Sequence, residues 1–282
     1  MNNKVALITG ANSGLGLATA RALANRSFDL ILLCRNQQKG QAAQAEVQQE
    51  NPDVRVDLVT ADLGDAGSIR QAADYITAHY SAVDVLINNA GYTPSTLDFT
   101  EDGIEKSFYA SHIGHFRLTY HLTDLLKKTA AKTGDVRIIS LSSAAHALGS
   151  KARFFRRITD LSLLSAYGDD KLANLLFAKG AARQFAGTGI RAYAVHPGVV
   201  KTNFGGDAPG FFGKMLWLAT PFMRTPEAGA KTTVFLASAP LKAIGEQNDG
   251  GYFADSRPKA TTNRDVTEAN ADWLWQKSLA YV

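Results

Sequence analysis

A tyrosine and a lysine stand four residues apart in Ala166-Tyr167-Gly168-Asp169-Asp170-Lys171-Leu172-Ala173-Asn174. On a helix, positions i and i+4 share a face, so the phenol and the ammonium project into one space. A tyrosine near pKa 10 is a poor proton shuttle at neutral pH, and a neighbouring positive charge favours its phenolate. Held together, the two side chains suit general acid/base chemistry. So short a spacing also occurs on ordinary exposed helix faces, so what surrounds the pair must decide. Upstream, the strand pattern Val136-Arg137-Ile138-Ile139-Ser140-Leu141 delivers Ser142-Ser143, twenty-four residues before Tyr167.

A second constellation stands at the start of the chain, where Val5-Ala6-Leu7-Ile8 runs into Thr9-Gly10-Ala11-Asn12-Ser13-Gly14-Leu15-Gly16 and then an alanine-rich helical pattern over 14–26. Strand, glycine turn and helix announce a βαβ unit built for dinucleotide binding. Gly10 allows the tight turn, Gly14 and Gly16 clear room for backbone approach and helix packing, and the helix N-terminus offers unpaired N–H groups to phosphate. Asn12, Ser13 and Leu15 lie in the same turn and are assigned to the cofactor with the glycines. The second strand, 29–34, ends at Cys34-Arg35. Binders of the unphosphorylated cofactor place an acid about twenty residues past the turn for the ribose 2′-hydroxyl. Here that position is Cys34, and Arg35 supplies a forked donor matching a 2′-phosphate, with Ser13 and Lys39 able to assist. The expected cofactor is therefore NADP(H).

Further elements follow in alternation: a helix over 37–50, a strand over 54–59, a helix over 66–79 and a strand over 83–87. Asp62, followed by Leu63, ends the third strand; it suits either the adenine amino group or an N-cap for the next helix. Asn88-Asn89-Ala90-Gly91 ends the fourth, and Asn89, Ala90 and Gly91 are assigned to tying down backbone beside the cofactor, because ligands of open α/β sheets lie outside the carboxyl ends of the strands. A long helical stretch spans 104–128, and further strands are expected at 136–141, 189–195 and 250–254, before a helical tail around Trp273-Leu274-Trp275.

Composition narrows the class. With 282 residues, 45% apolar and 20% charged, one domain can bury a large core. A formal charge of +4 comes from scattered lysines and arginines rather than a basic stripe, which argues against a nucleic-acid partner. Cys34 is the only cysteine, so no internal disulfide or cysteine-based metal site is expected; burial at a strand end explains it. No metal is called for. No run of about eighteen uncharged apolar residues suggests an integral membrane segment, and a strand beginning by Lys4 leaves no room for a signal peptide, so a cytoplasmic protein is expected.

Together these motifs resemble the short-chain dehydrogenase/reductase family over nearly the full chain: Thr9-Gly10-x-x-x-Gly14-x-Gly16, Asn88-Asn89-Ala90-Gly91, Ser143, Tyr167-x-x-x-Lys171 and His196-Pro197-Gly198 occur in its order and approximate spacing. Leu33-Cys34-Arg35-Asn36, His112-Ile113-Gly114-His115-Phe116, Tyr167 through Phe177, and Met223-Arg224-Thr225-Pro226-Glu227-x-Gly229-Ala230 resemble its retinol dehydrogenase-like branch. The resemblance implies an α/β doubly wound Rossmann fold with a seven-stranded, mostly parallel sheet and helices on both faces. It covers 1–282 as a single domain, with 203–230 as a substrate-binding lid insertion. It further implies Tyr167 as general acid/base, Lys171 as holder of the nicotinamide ribose that lowers the tyrosine pKa, and Ser143 as the group that steadies the substrate oxygen. Pro197, Gly198, Val200 and Thr202 would lie at the nicotinamide, and a homodimer or homotetramer would form partly on the tyrosine helix.

One position departs from the family. Ser111 stands where a catalytic asparagine precedes the His-x-Gly-His-Phe run, so an altered proton relay is expected there. His196 has no evident partner in the sequence and reads as structural. Phe211-Phe212 and Met215-Leu216-Trp217-Leu218 lie within the lid and suggest a small carbonyl or alcohol substrate with a bulky apolar body. The leading expectation is an NADP(H)-dependent oxidoreductase interconverting carbonyl and alcohol. A non-redox lyase or cyclase, or an NADP(H)-binding sensor, on the same scaffold is the alternative.

Overall fold

The computed structural model describes residues 3–91, 96–200 and 223–282. Eight strands form one sheet in the order β3-β2-β1-β4-β5-β6-β7-β8. They are β1 (Val5–Thr9), β2 (Asp29–Cys34), β3 (Val56–Thr60), β4 (Val85–Asn88), β5 (Val136–Leu141), β6 (Ile190–His196), β7 (Tyr252–Ala254) and β8 (Arg257–Pro258). Every neighbouring pair is parallel except β7 and β8. The expected count of seven is one short. The eighth strand is a two-residue hairpin return, made possible by Asp255 and Ser256, both at positive φ (53° and 59°). Two-residue hairpin turns of that kind match the twist of the flanking strands, but Asp-Ser lacks the usual glycine signal.

The strands are continuous apolar runs because they are covered twice. Leu7, Ile31, Leu33, Leu86 and Ile138 face one side, where α3 (Ala66–His79), α5 (His115–His121), α6 (Thr123–Thr133) and α7 (Leu163–Gln184) supply Ile69, Ile76, Phe116, Leu126 and Phe177. Ile8, Leu30, Leu32, Ile87 and Val195 face the other, against α1 (Gly14–Ala24), α2 (Gln37–Glu50) and α8 (Pro226–Ser238). The side-chain alternation of each strand thus feeds two cores. A short helix, α9 (Leu241–Ile244), precedes the tail helix α10 (Glu268–Leu279). Trp275 of α10 packs edge-on to Phe116 at 4.9 Å and stacks on Phe177 at 5.9 Å. The tail helix therefore locks the helix carrying Tyr167 from behind.

The expected long helix over 104–128 is broken. It becomes α4 (Lys106–Phe108), a π-helical stretch Tyr109–Gly114, α5 and, after a hinge at Leu122, α6. The widened turn ends in close packing: a Cβ at Gly114 would lie 2.3 Å from the Leu63 carbonyl oxygen. Such π bulges are rare and gather at functional sites. The third and fourth strands begin two residues later than expected, and α1 stops at Ala24. Among the described residues, no helix is long and apolar enough to cross a membrane.

Most of the expected lid, 203–222, lies outside the described residues, as does Thr202. Residues 226–230 at its far end form the first turns of α8, with Thr225 as N-cap and Pro226 at the opening position. A Cβ at Gly229 would lie 2.7 Å from Leu15, so α8 is seated against α1.

Candidate active site

Parallel strands all end at the same sheet edge, and the expected residues meet there. β1 ends in the glycine turn, β2 at Arg35, β3 at Asp62, β4 at Asn89 to Gly91, β5 at Ser142 and Ser143, and β6 at Pro197 to Val200. The order reverses between β1 and β4, the crevice where doubly wound sheets take their ligands.

At that crevice Gly10 sits at φ 64°, and a Cβ on Gly16 would fall 2.2 Å from the Gly10 carbonyl oxygen and 2.6 Å from Asn89 Nδ2. Asn89 Nδ2 donates to the Thr9 carbonyl at 2.7 Å, pinning the β4 loop to the glycine turn. Thr9 is the hub, and the sequence reading passed over it. Its hydroxyl oxygen accepts from the backbone N–H of Asn89 and of Ala90, each at 2.9 Å, and lies 2.8 Å from His115 Nε2. His115 Nδ1 in turn lies 2.8 Å from the Ser111 carbonyl. One buried threonine thus ties glycine turn, β4 loop and π-helical stretch together. A polar residue closing an apolar strand is the sequence signal that could have singled it out.

At the adenosine end, Cys34 is buried and its thiol is pushed up to about 11 by that burial, against the opposing pull of backbone hydrogen bonds from Ala11 and Asn12. Arg35 is 77% exposed and reaches Asp62 only at 3.9 Å. Asp62 does not cap α3; Asp65 does, accepting from Gly67 and Ser68. Asp62 closes its own turn by accepting from Gly64 N at 2.8 Å. Leu63 is buried against Gly114, Ser13 is exposed at the start of α1, and Leu15 turns toward Val200 and Gly229.

Beneath the β4 loop the reactive groups converge. Lys171 Nζ and Ser111 Oγ both approach Gly91: a Cβ there would lie 3.3 Å from the first and 3.7 Å from the second. Tyr167 and Lys171 share a face of α7, the ammonium 5.3 Å from the ring centre, as the four-residue spacing requires. Ser143, extended at φ −158°, caps a 3₁₀ turn by accepting from Ala145 N at 3.2 Å, and its hydroxyl hydrogen-bonds the Tyr167 phenol. The β5 end and α7 are stapled by Ser142 Oγ donating to the Lys171 carbonyl at 2.7 Å and Asn174 Nδ2 donating to the Leu141 carbonyl at 3.0 Å. His196 is not partnerless: its Nδ1 accepts from Ala144 N at 3.3 Å and steadies the turn that holds Ser143.

Electrostatics correct one expectation. Burial pushes the Tyr167 phenol up to about 12, opposed by the Ser143 hydrogen bond and reinforced by Asp170, so the lysine does not bring it toward neutrality here. Burial also lowers the Lys171 pKa, while Asp170 works to hold its charge. A phenol so raised stays protonated at neutral pH.

The family model for the short chain dehydrogenases matches residues 4–209. The chain belongs to that family. Within it the retinol dehydrogenase-like branch is the one it joins: mouse Retinol dehydrogenase 12 is 38% identical over 278 residues, covering 98% of this chain and 85% of the relative. A crystal structure of an uncharacterised protein from Mycobacterium paratuberculosis superposes with a TM-score of 0.75 at 32% identity, over 99% of this chain and 92% of that one. A short chain dehydrogenase from Burkholderia cenocepacia solved in complex with NADP shares the fold, with a TM-score of 0.69 at 24% identity over 89% and 95% of the two chains. Membership makes this short-chain dehydrogenase an NAD(P)-binding oxidoreductase acting on alcohol and carbonyl groups.

Proposed function

We propose that this dehydrogenase uses NADP(H) to interconvert a carbonyl and an alcohol on a bulky apolar substrate, with Tyr167 as general acid/base. The convergence of Ser143 with Tyr167 and Lys171 carries this reading, since the end of β5 and the helix α7 bring those groups together. The cofactor pocket fits the cofactor: the Gly10 and Gly16 cradle has no room for a Cβ, and α1 presents its N-terminus beyond it. Gly14, Asn89, Ala90 and Gly91 would line the phosphates and nicotinamide, Arg35 the 2′-phosphate, Asp62 and Leu63 the adenine. Pro197, Gly198, Val200 and Thr202 would lie beside the nicotinamide, and Lys171 would hold its ribose. When bound, NADPH supplies a hydride.

The chain's own residues do the rest. In reduction Tyr167 gives its phenolic proton to the carbonyl oxygen, while the Ser143 hydroxyl holds that oxygen in place. Lys171 keeps positive charge beside the phenolate as it forms. The apolar substrate body is taken from Phe211, Phe212, Leu216 and Trp217, which fall within 203–222. The name of its mouse and human relatives, retinol dehydrogenase, agrees with such a substrate.

A panel of apolar aldehydes and ketones, followed by loss of NADPH absorbance, tests the reading. At least one long-chain or ring-bearing carbonyl is expected to be reduced faster than its short polar counterpart. A panel in which nothing oxidises NADPH would overturn it in favour of the non-redox or sensor alternative.

A further inference from the structure

His115 opens α5, is 2% exposed, and holds a partner at each end of its ring. Nδ1 lies 2.8 Å from the Ser111 carbonyl oxygen, which can only accept, so Nδ1 carries a proton. Nε2 lies 2.8 Å from the Thr9 hydroxyl. That oxygen already accepts from the backbone N–H of Asn89 and of Ala90, which uses both its lone pairs. A proton on Nε2 would meet an oxygen with nothing left to accept it. Nε2 is therefore bare and Thr9 donates to it; the other acceptor in reach of that hydroxyl, the Ile87 carbonyl, is farther off at 3.4 Å. Donation runs one way, from Thr9 through an uncharged ring to the Ser111 carbonyl. Burial works in the same sense, lowering the ring to about 4, with the Ser111 carbonyl pulling against it and the Lys171 charge adding to it.

Ser111 is what the ring holds, and Ser111 stands at the reactive lysine. Its hydroxyl and Lys171 Nζ both close on Gly91 of the β4 loop. That hydroxyl is buried and has no partner among the described residues, so the serine side chain does not anchor its own turn. The hold falls to the carbonyl bonded to His115. A π turn carries one residue more than an α turn, and a slip to the regular register would swing Ser111 by about 100° away from Gly91.

We propose that His115 is a positioning residue for the hydride-transfer site: Thr9 holds its ring, its Nδ1–H holds the Ser111 carbonyl, and the β4 loop and the turn beside Lys171 are thereby set as one piece. This rests on the roles of Tyr167 and Lys171 proposed above. The imidazole itself touches no reacting atom. Its lack of charge matters as much as its reach, because a positive ring would add to the field on Lys171 and favour the neutral amine.

The test has two arms. Nitrogen NMR of the imidazole rings in cofactor-free wild type at neutral pH, assigned through bonds from the backbone, reads the tautomer without any variant. His115 should carry its proton on Nδ1 alone; a proton on Nε2, or on both nitrogens, overturns the proposal. The second arm is steady-state reduction of a carbonyl that wild type accepts. His115→Leu, which removes both hydrogen bonds, should lower kcat about tenfold while KM for carbonyl and for NADPH stays within about threefold of wild type. His115→Asn keeps an N–H donor near the place of Nδ1 and should bring kcat back to within about threefold of wild type. A residue that only fills space predicts the opposite order, since leucine suits a buried site better than asparagine. Equal losses in the two variants, a larger loss in His115→Asn, or a change confined to KM overturns the proposal while Tyr167→Phe stays inactive. A Tyr167→Phe variant with full activity refutes the underlying reading instead, and the positioning role falls with it.

Discussion

Arg35 is a guanidinium with little to hold it, 77% exposed and 3.9 Å from Asp62. A cation so weakly engaged gives up almost nothing on turning to a phosphate, which it can meet with two parallel hydrogen bonds. NADP(H) should therefore bind at least about tenfold more tightly than NAD(H), roughly 1.4 kcal/mol, and Arg35→Ala should erase the difference. Titration of both cofactors into both proteins decides it, and equal affinities in wild type contradict it. Ser111→Asn restores the family's residue at a site where the serine hydroxyl already lacks a partner. It should leave carbonyl reduction at or above the wild-type rate; a tenfold fall, about 1.4 kcal/mol, would mean that Ser111 serves other chemistry. At this scale the sequence was legible where spacing is chemistry: a helix forces Tyr167 and Lys171 onto one face, and a strand end forces Ser143 toward them. Thr9 and His115 were not legible as site residues. Their roles come from burial and from partners distant in the chain, such as the 106 positions separating Thr9 from His115.

The π-helical stretch Tyr109–Gly114 and the opening residue of α5 each carry a histidine inward. His112 lies 2.8 Å from Ser278 of the tail helix, and His115 lies the same distance from Thr9 of β1. Burial lowers the first to about 3 and the second to about 4. In the unfolded chain both would titrate near 6.5. Their contribution to stability is therefore complete above about pH 6.5 and is lost as pH falls toward those folded values, by up to about 1.4 kcal/mol per pH unit for each. Asp170 works in the opposite sense, since a raised carboxyl pKa favours the fold as pH falls. A single-site comparison separates the two. His112→Asn, which keeps a polar group toward Ser278, should unfold at lower urea than wild type at pH 7.5 but lose less on going to pH 5. An identical loss in the two proteins contradicts a neutral buried His112. Periodicity alone reads 104–128 as one helix, because the π turn moves side chains by only one position. The packing at its end, the carbonyl of Leu63 against Gly114, is a contact between distant segments.

Across the whole molecule, one parallel sheet with helices on both faces collects six strand ends at one edge and assembles the site from them. That architecture was readable because each central strand is a short apolar run between turn residues, a pattern that only double coverage explains. β8 was not readable, since two exposed residues pair only because Asp255 and Ser256 turn the chain back. The account as a whole depends on the proton at Tyr167, held by Ser143 on one side and facing Lys171 along the helix. Loss of the phenol oxygen removes that proton and the Ser143 hydrogen bond while the ring still packs. NADPH oxidation by wild type and Tyr167→Phe against one accepted apolar carbonyl, with NADPH affinity measured on both, tests this most directly. The predicted result is a fall in kcat of at least about 100-fold, roughly 2.7 kcal/mol, with affinity for NADPH nearly unchanged; undiminished turnover in Tyr167→Phe would contradict it.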